Sequence, residues 1–171
     1  MTLIVKAKVN DYQLLADIGR SSFIESHGGS AAQCDIEMYV SKNYDRDVIK
    51  AELTDPKNIY HIIYHYEKPV GYSKIIFNAP DSNIRMVSVT KLERLYLLEK
   101  FHGLKSGYEL LNFNIELSRK NNQLGMWLFV WKENNRAVNF YKKTGFRIVG
   151  SYDFKITETH SNPNHQMLLE Y

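Results

Sequence analysis

The sequence predicts an α/β fold: a mixed central sheet of about seven strands flanked by helices, in the order β-α-α-β-β-β-α-β-α-β-β. Three observations carry that expectation. Runs of β-branched and aromatic residues at strand length alternate with apolar residues at helical spacing. A strand beginning near Lys91 passes through Gly103 and Gly107 into a helix that starts near Ser106. A second strand, Gly125–Trp131, leads through Asn134 into another helix, which Thr144 and Gly145 close. Two consecutive strand–helix units of this kind put a parallel pair at the centre of the sheet.

The elements follow in order. Residues 3–9 alternate and are rich in Val and Ile, a strand. Asn10 or Asp11 then caps a helix whose apolar spacing is Leu14, Leu15, Ile18 and Phe23, ending near the Gly28–Gly29 pair. Residues 35–39 and 46–53 form two shorter helical patterns, the second closed by Pro56. Residues 59–66 and 70–77 read as a hairpin joined at Glu67, Lys68 and Pro69. The next strand holds Leu92, Leu95, Leu97 and Leu98, and its helix runs through Leu110, Leu111, Phe113, Ile115 and Leu117. Residues 147–156 and 166–171 close the chain as strands around a polar loop containing Pro163.

At 171 residues the chain suits one domain spanning positions 1–171. Its formal charge of +3 comes without a basic run, which gives no support to a nucleic-acid partner. The single cysteine, Cys34, has no internal disulfide partner, and no Cys/His cluster has metal-ligand spacing. No segment reaches transmembrane length and the N-terminus lacks a signal-peptide pattern, so a soluble cytoplasmic protein is expected.

The turn between residues 97 and 108 is chemically suggestive. A strand that delivers a glycine-bearing turn onto a helix start leaves several N–H groups aimed at one point. The helix dipole adds partial positive charge there, which suits a phosphate or pyrophosphate.

The stretch NNRAVNFYKKTGF, residues 134–146, is the most specific in the chain. With the strand–glycine loop–helix upstream, it resembles the GNAT superfamily of N-acetyltransferases, which move acetyl from acetyl-coenzyme A to an amine. That family's helix reads N-x-x-A-x-x-F-Y-x-x-x-G-F, and each fixed position is matched. LERLYLL, VWKEN, GYSKI and SFIES extend the similarity over nearly the whole chain. Within the superfamily these features look most like the Pai-type spermidine/spermine (polyamine) acetyltransferases. One departure stands out. The family's pyrophosphate loop reads Q/R-x-x-G-x-G/A, whereas here the window is His102-Gly-Leu-Lys-Ser-Gly107, with Lys105 at the middle glycine.

The resemblance implies a GNAT-like fold and a set of roles. The backbone of Leu95, Tyr96 and Leu97 would pair with the pantetheine arm as an added strand does. N–H groups across Gly103, Leu104, Lys105, Ser106, Gly107 and Tyr108 would hold the pyrophosphate, with His102 beside them. Asn134 would both cap its helix and bond the pantetheine. Tyr141 would be the general acid at the departing thiolate and also touch the coenzyme. Glu93 would be the base, directly or through water. Phe23 and Glu25, with His27 and Asp35, would line the acceptor site, since a polyamine gains from carboxylates and aromatic faces. The reading is direct transfer in a ternary complex to a small-molecule primary amine, with no metal, no nucleic acid and no membrane. A homodimer is common among relatives. The alternatives are a protein N-terminus or lysine as acceptor, or a catalytically silent acyl-coenzyme A-binding or regulatory module.

Overall fold

The computed structural model describes residues 2–171. Its elements are β1 (Thr2–Lys6), α1 (Tyr12–His27), α2 (Gln33–Asn43), α3 (Arg46–Thr54), β2 (Ile59–His65), β3 (Lys68–Ile76), β4 (Thr90–Leu97), α4 (Ser106–Lys120), β5 (Gly125–Trp131), α5 (Asn135–Lys143), β6 (Arg147–Lys155) and β7 (Ser161–Glu170). The strands form one mixed seven-stranded sheet in the order β1-β2-β3-β4-β5-β7-β6. The β4–β5 pair is parallel; the β1–β2, β2–β3, β5–β7 and β6–β7 pairs are antiparallel. The expected α/β class and strand number are therefore present.

Three local details differ from the sequence reading. Three helices precede β2 where the element order counts two, each of the three helical patterns forming one; Asp45 starts α3 by accepting from the Asp47 N–H at 2.8 Å. The hairpin turn is Tyr66–Glu67, both with positive φ (45° and 63°), so Lys68 and Pro69 already belong to β3. A two-residue turn of that hand matches the twist of its strands. Pro163 lies inside β7 rather than in a loop, paired with Asp153 on β6. Its carbonyl accepts from the Lys132 N–H at 2.9 Å, and it sits beyond the β5 ladder, which ends at Trp131–Asn164, so its missing N–H costs that pairing nothing.

The chain divides into two compact units, Met1–Ile75 with Arg94–Asn114, and Ile76–Glu93 with Ile115–Tyr171. In the first, Ile63, Val70 and Leu110 are buried together, with Ile4, Leu95, Leu97 and Phe101 against them. Gly71 is required there: a Cβ on it would collide with the Tyr96 carbonyl oxygen and lie 3.1 Å from the Leu97 Cα. In the second, Ile84, Val89, Trp127 and Leu168 form the core, and the Trp127 indole donates to the Ala79 carbonyl at 2.7 Å. Asn114, at the end of the first unit's share of α4, bonds Ser73 on β3 at 2.9 Å, while Thr90 and Ser118 share a 2.7 Å bond in the second.

His61 on β2 is buried edge-on against Phe113 of α4 at 4.8 Å, and its Nδ1 has no partner. Desolvation, then the charge of Lys6, holds its pKa down to about 4, against an ordinary 6.5. In the unfolded chain it takes a proton below about pH 6.5. Its contribution is thus fully present above pH 6.5 and lost as pH falls towards 4, on the order of 3 kcal/mol in all. His61→Phe should flatten the pH dependence of urea-unfolding stability across that window, and an unchanged slope would contradict the assignment.

Candidate active site

In the first unit, Leu98 follows β4 and donates its N–H to the Val70 carbonyl at 2.9 Å. The chain then reverses through a short turn, Glu99–Phe101, and two residues of positive φ, Gly103 (+86°) and Lys105 (+62°), before α4 begins at Ser106. A Cβ at Gly103 would meet nothing within 4 Å. The first N–H groups of α4, on Ser106, Gly107 and Tyr108, have no acceptor inside the helix. Lys105 and Tyr108 are exposed at its mouth. This loop is open on one side and presents main-chain donors at the positive end of a fifteen-residue helix, so it fits a diphosphate. His102 is turned the other way, its Nε2 bonding the Leu97 carbonyl at 3.1 Å.

Above β3 and β4 lies an aromatic tier, also in the first unit. Phe23 is buried and stacks on His27 (4.5 Å, 11°) and Tyr39 (4.6 Å, 19°), with Tyr44 and Tyr96 tilted against it. Burial holds the His27 ring neutral, with its pKa lowered to about 4. Glu25 uses its carboxylate to accept the Glu99 N–H at 2.7 Å, tying α1 to the start of the phosphate loop. Asp35 is half-buried in the first turn of α2. Phe23, His27 and Tyr96 are thus brought together, whereas Asp35 is not part of the stack.

Beneath the tier the sequence reading missed a charged cluster. Arg94 on β4 bonds both Glu52 oxygens (3.0 and 3.3 Å) and the Tyr60 hydroxyl (2.8 Å), and its guanidinium lies 5.1 Å over the Tyr44 ring. Lys74 pairs with the same carboxylate at 3.2 Å, and Tyr60 donates to it. The only sequence hint was a charged residue at a core-facing position of a central strand.

The second unit holds Glu93, Asn134 and Tyr141. Glu93 is half-buried and pairs with Lys91 at 3.4 Å. The Lys91 ammonium also lies over the rings of Trp127 (5.3 Å) and Phe129 (5.9 Å). Asn134 caps α5, its side-chain oxygen accepting from the Ala137 N–H at 3.1 Å. Tyr141 is buried between Phe140 and Phe146. Burial holds its hydroxyl well above the usual tyrosine range, so it stays protonated at neutral pH. A cavity of about 550 Å³ in this unit, lined by Ile84, Arg85, Met86, Arg147 and Glu170 among others, contains none of the predicted site residues.

The acetyltransferase (GNAT) family model matches residues 25–146, from the last turn of α1 to Phe146 after α5. The chain belongs to that family. It is an N-acetyltransferase, with acetyl-coenzyme A as co-substrate. An uncharacterised N-acetyltransferase of Mycobacterium bovis is 29% identical over 154 residues, covering 90% of this chain and 94% of the relative. A spermidine N(1)-acetyltransferase of Thermoplasma acidophilum is 24% identical over 151 residues, covering 85% and 88%. In fold, the chain is similar to the PaiA N-acetyltransferase of Thermoplasma acidophilum, solved in complex with coenzyme A. The TM-score is 0.79 at 20% identity, with 100% of this chain and 99% of that one covered. Among the described residues of the acetyltransferase, no group of His, Cys, Asp and Glu could hold a metal ion, and no helix is long and apolar enough to cross a membrane.

Lys105 occupies a left-handed conformation, at the middle position of the window where the loop pattern it resembles has glycine. A side chain there costs about 1–2 kcal/mol, of which glycine's greater freedom in the unfolded chain offsets about 0.5–1 kcal/mol. Lys105→Gly should therefore raise stability by roughly 0.5–1 kcal/mol in thermal or urea unfolding.

Proposed function

We propose that this chain is a cytoplasmic enzyme that acetylates a small primary amine of the polyamine class by direct transfer in a ternary complex. Acetyl-coenzyme A supplies the acetyl group as a thioester. The main-chain donors from Gly103 to Tyr108 grip its diphosphate, and the exposed Lys105 adds a cationic charge beside them. The edges of Leu95, Tyr96 and Leu97 and the Asn134 side chain align its pantetheine arm. A main-chain N–H of β4 polarises the thioester oxygen. Glu93, directly or through water, takes a proton from the acceptor ammonium. The amine nitrogen then bonds the acetyl carbon while the carbon–sulfur bond breaks, Tyr141 delivers its proton to sulfur, and the proton shed by the new amide nitrogen passes through water to the tyrosinate. Holding both reactants in place removes much of the entropic barrier.

One observation carries the acid assignment: the Tyr141 phenol is buried on α5 between Phe140 and Phe146 and is protonated at neutral pH, although the burial that raises its pKa also makes it a weaker acid. The polyamine class is supported by the likeness to the Thermoplasma acidophilum spermidine N(1)-acetyltransferase.

Thiol release measured over a panel of amines tests the acceptor; turnover on peptide N-termini or lysines with none on polyamines would reject the class. Tyr141→Phe should lower kcat by about a hundred-fold with coenzyme A affinity intact. Glu93→Gln should lower kcat by about the same order. If calorimetry shows Tyr141→Phe losing coenzyme binding instead, the phenol is a contact rather than an acid.

A further inference from the structure

We propose that the sheet face formed by Asn164 and Gln166 of β7, with Phe129 of β5 and Tyr152 of β6, binds the distal, non-reacting ammonium of a linear diamine or polyamine. This rests on the polyamine reading above and names the subsite that would make it selective.

The register sets the face. Gln166 lies opposite Phe129 on one side and Gly150 on the other; Asn164 lies opposite Trp131 and Tyr152. Directly paired residues of antiparallel strands point to the same side, and so do residues two apart on one strand. Over β7 the rings of Phe129 and Tyr152 stack at 4.4 Å and 19°. Gly150 leaves a notch, which the Asn83 amide enters to donate to the Gln166 Oε1 at 2.9 Å. Two atoms are left over. The Asn164 Oδ1 and the Gln166 Nε2 are buried without partners, on residues 6% and 0% exposed. A buried amide atom left unpaired is costly, and two neighbours on one face need a common explanation.

The chemistry selects the ligand. Turning the Asn83 and Gln166 amides end for end keeps the bond between them and converts the orphan donor at Gln166 into an acceptor. The floor then offers two amide oxygens beneath a pair of stacked rings, acceptors for the N–H groups of an alkylammonium. Tyr152 is 46% exposed, so one side of that ring pair meets solvent. The same face reaches the proposed base: Lys91, ion-paired with Glu93, lies 5.9 Å over the Phe129 ring.

The test compares steady-state acetylation of spermidine and diaminobutane, which carry a distal ammonium, with butylamine, which does not. In Asn164→Leu, Gln166→Met and Tyr152→Ala, KM for the two polyamines should rise about tenfold or more, while KM for butylamine and for acetyl-coenzyme A holds within about twofold. Equal shifts for all amines, or none in a folded variant, would overturn the subsite and leave an internal water or packing as the role of the amides. Should the two core variants fail to fold, the exposed Tyr152→Ala decides alone. A wild type that acetylates diaminobutane no better than butylamine sinks the subsite but keeps the enzyme. One that acetylates only other amines sinks the polyamine reading itself.

Discussion

A chain leaving a buried strand and starting a helix at once must reverse without stranding its main-chain polar groups. Here the reversal from β4 to α4 is made by Gly103 and Lys105 in left-handed conformations, with the His102 ring bonded to the Leu97 carbonyl and Glu25 capping the Glu99 N–H. Those two side chains hold the loop from opposite ends. The donors that remain, at the first turn of α4, point outward because nothing in the helix can accept from them. A cluster of outward-facing main-chain donors, suited to an anion, is therefore a by-product of a backbone constraint. This also explains how a lysine survives at a position that favours glycine: the strain is local, and the donors do not depend on the side chain.

The second constraint is electrostatic. Arg94 is bound by both oxygens of Glu52, so the strand residue next to Glu93 is committed to the scaffold. Removing the Glu52 carboxylate would strip a buried guanidinium of its bidentate partner, at a cost of about 3–5 kcal/mol. Glu93, the next residue but on the opposite face of β4, pairs with Lys91 two positions away.

What the sequence disclosed follows from how local each signal is. The helix from Asn134 to Gly145 was legible because its cap, apolar spacing and terminating glycine all lie within one short stretch. The Tyr66–Glu67 turn was misplaced because neither residue advertises positive φ. The first half of β7 read as a loop since Asn162, Pro163 and Asn164 are turn formers; their strand conformation comes from pairing with β6 across the sheet. The Arg94–Glu52 pair spans 42 positions, and no local pattern encodes it. Phe23 was picked out as acceptor lining, yet its ring is consumed by stacking on His27 and Tyr39, which only the packed helices determine.

Lys91 shows what the interior of the second unit will accept. Its ammonium lies between the Glu93 carboxylate and the faces of Trp127 and Phe129, a primary amine held by one anion and two rings. With Glu93 as the proposed base, a substrate amine would meet that lysine as a rival for the carboxylate and would need affinity from elsewhere. A monoamine has only its reacting nitrogen to offer. A second ammonium, bound away from Glu93 at the proposed subsite, would supply that affinity without being acetylated. Competition at the proposed base is thus a physical reason for such a subsite, independent of the amides that would form it.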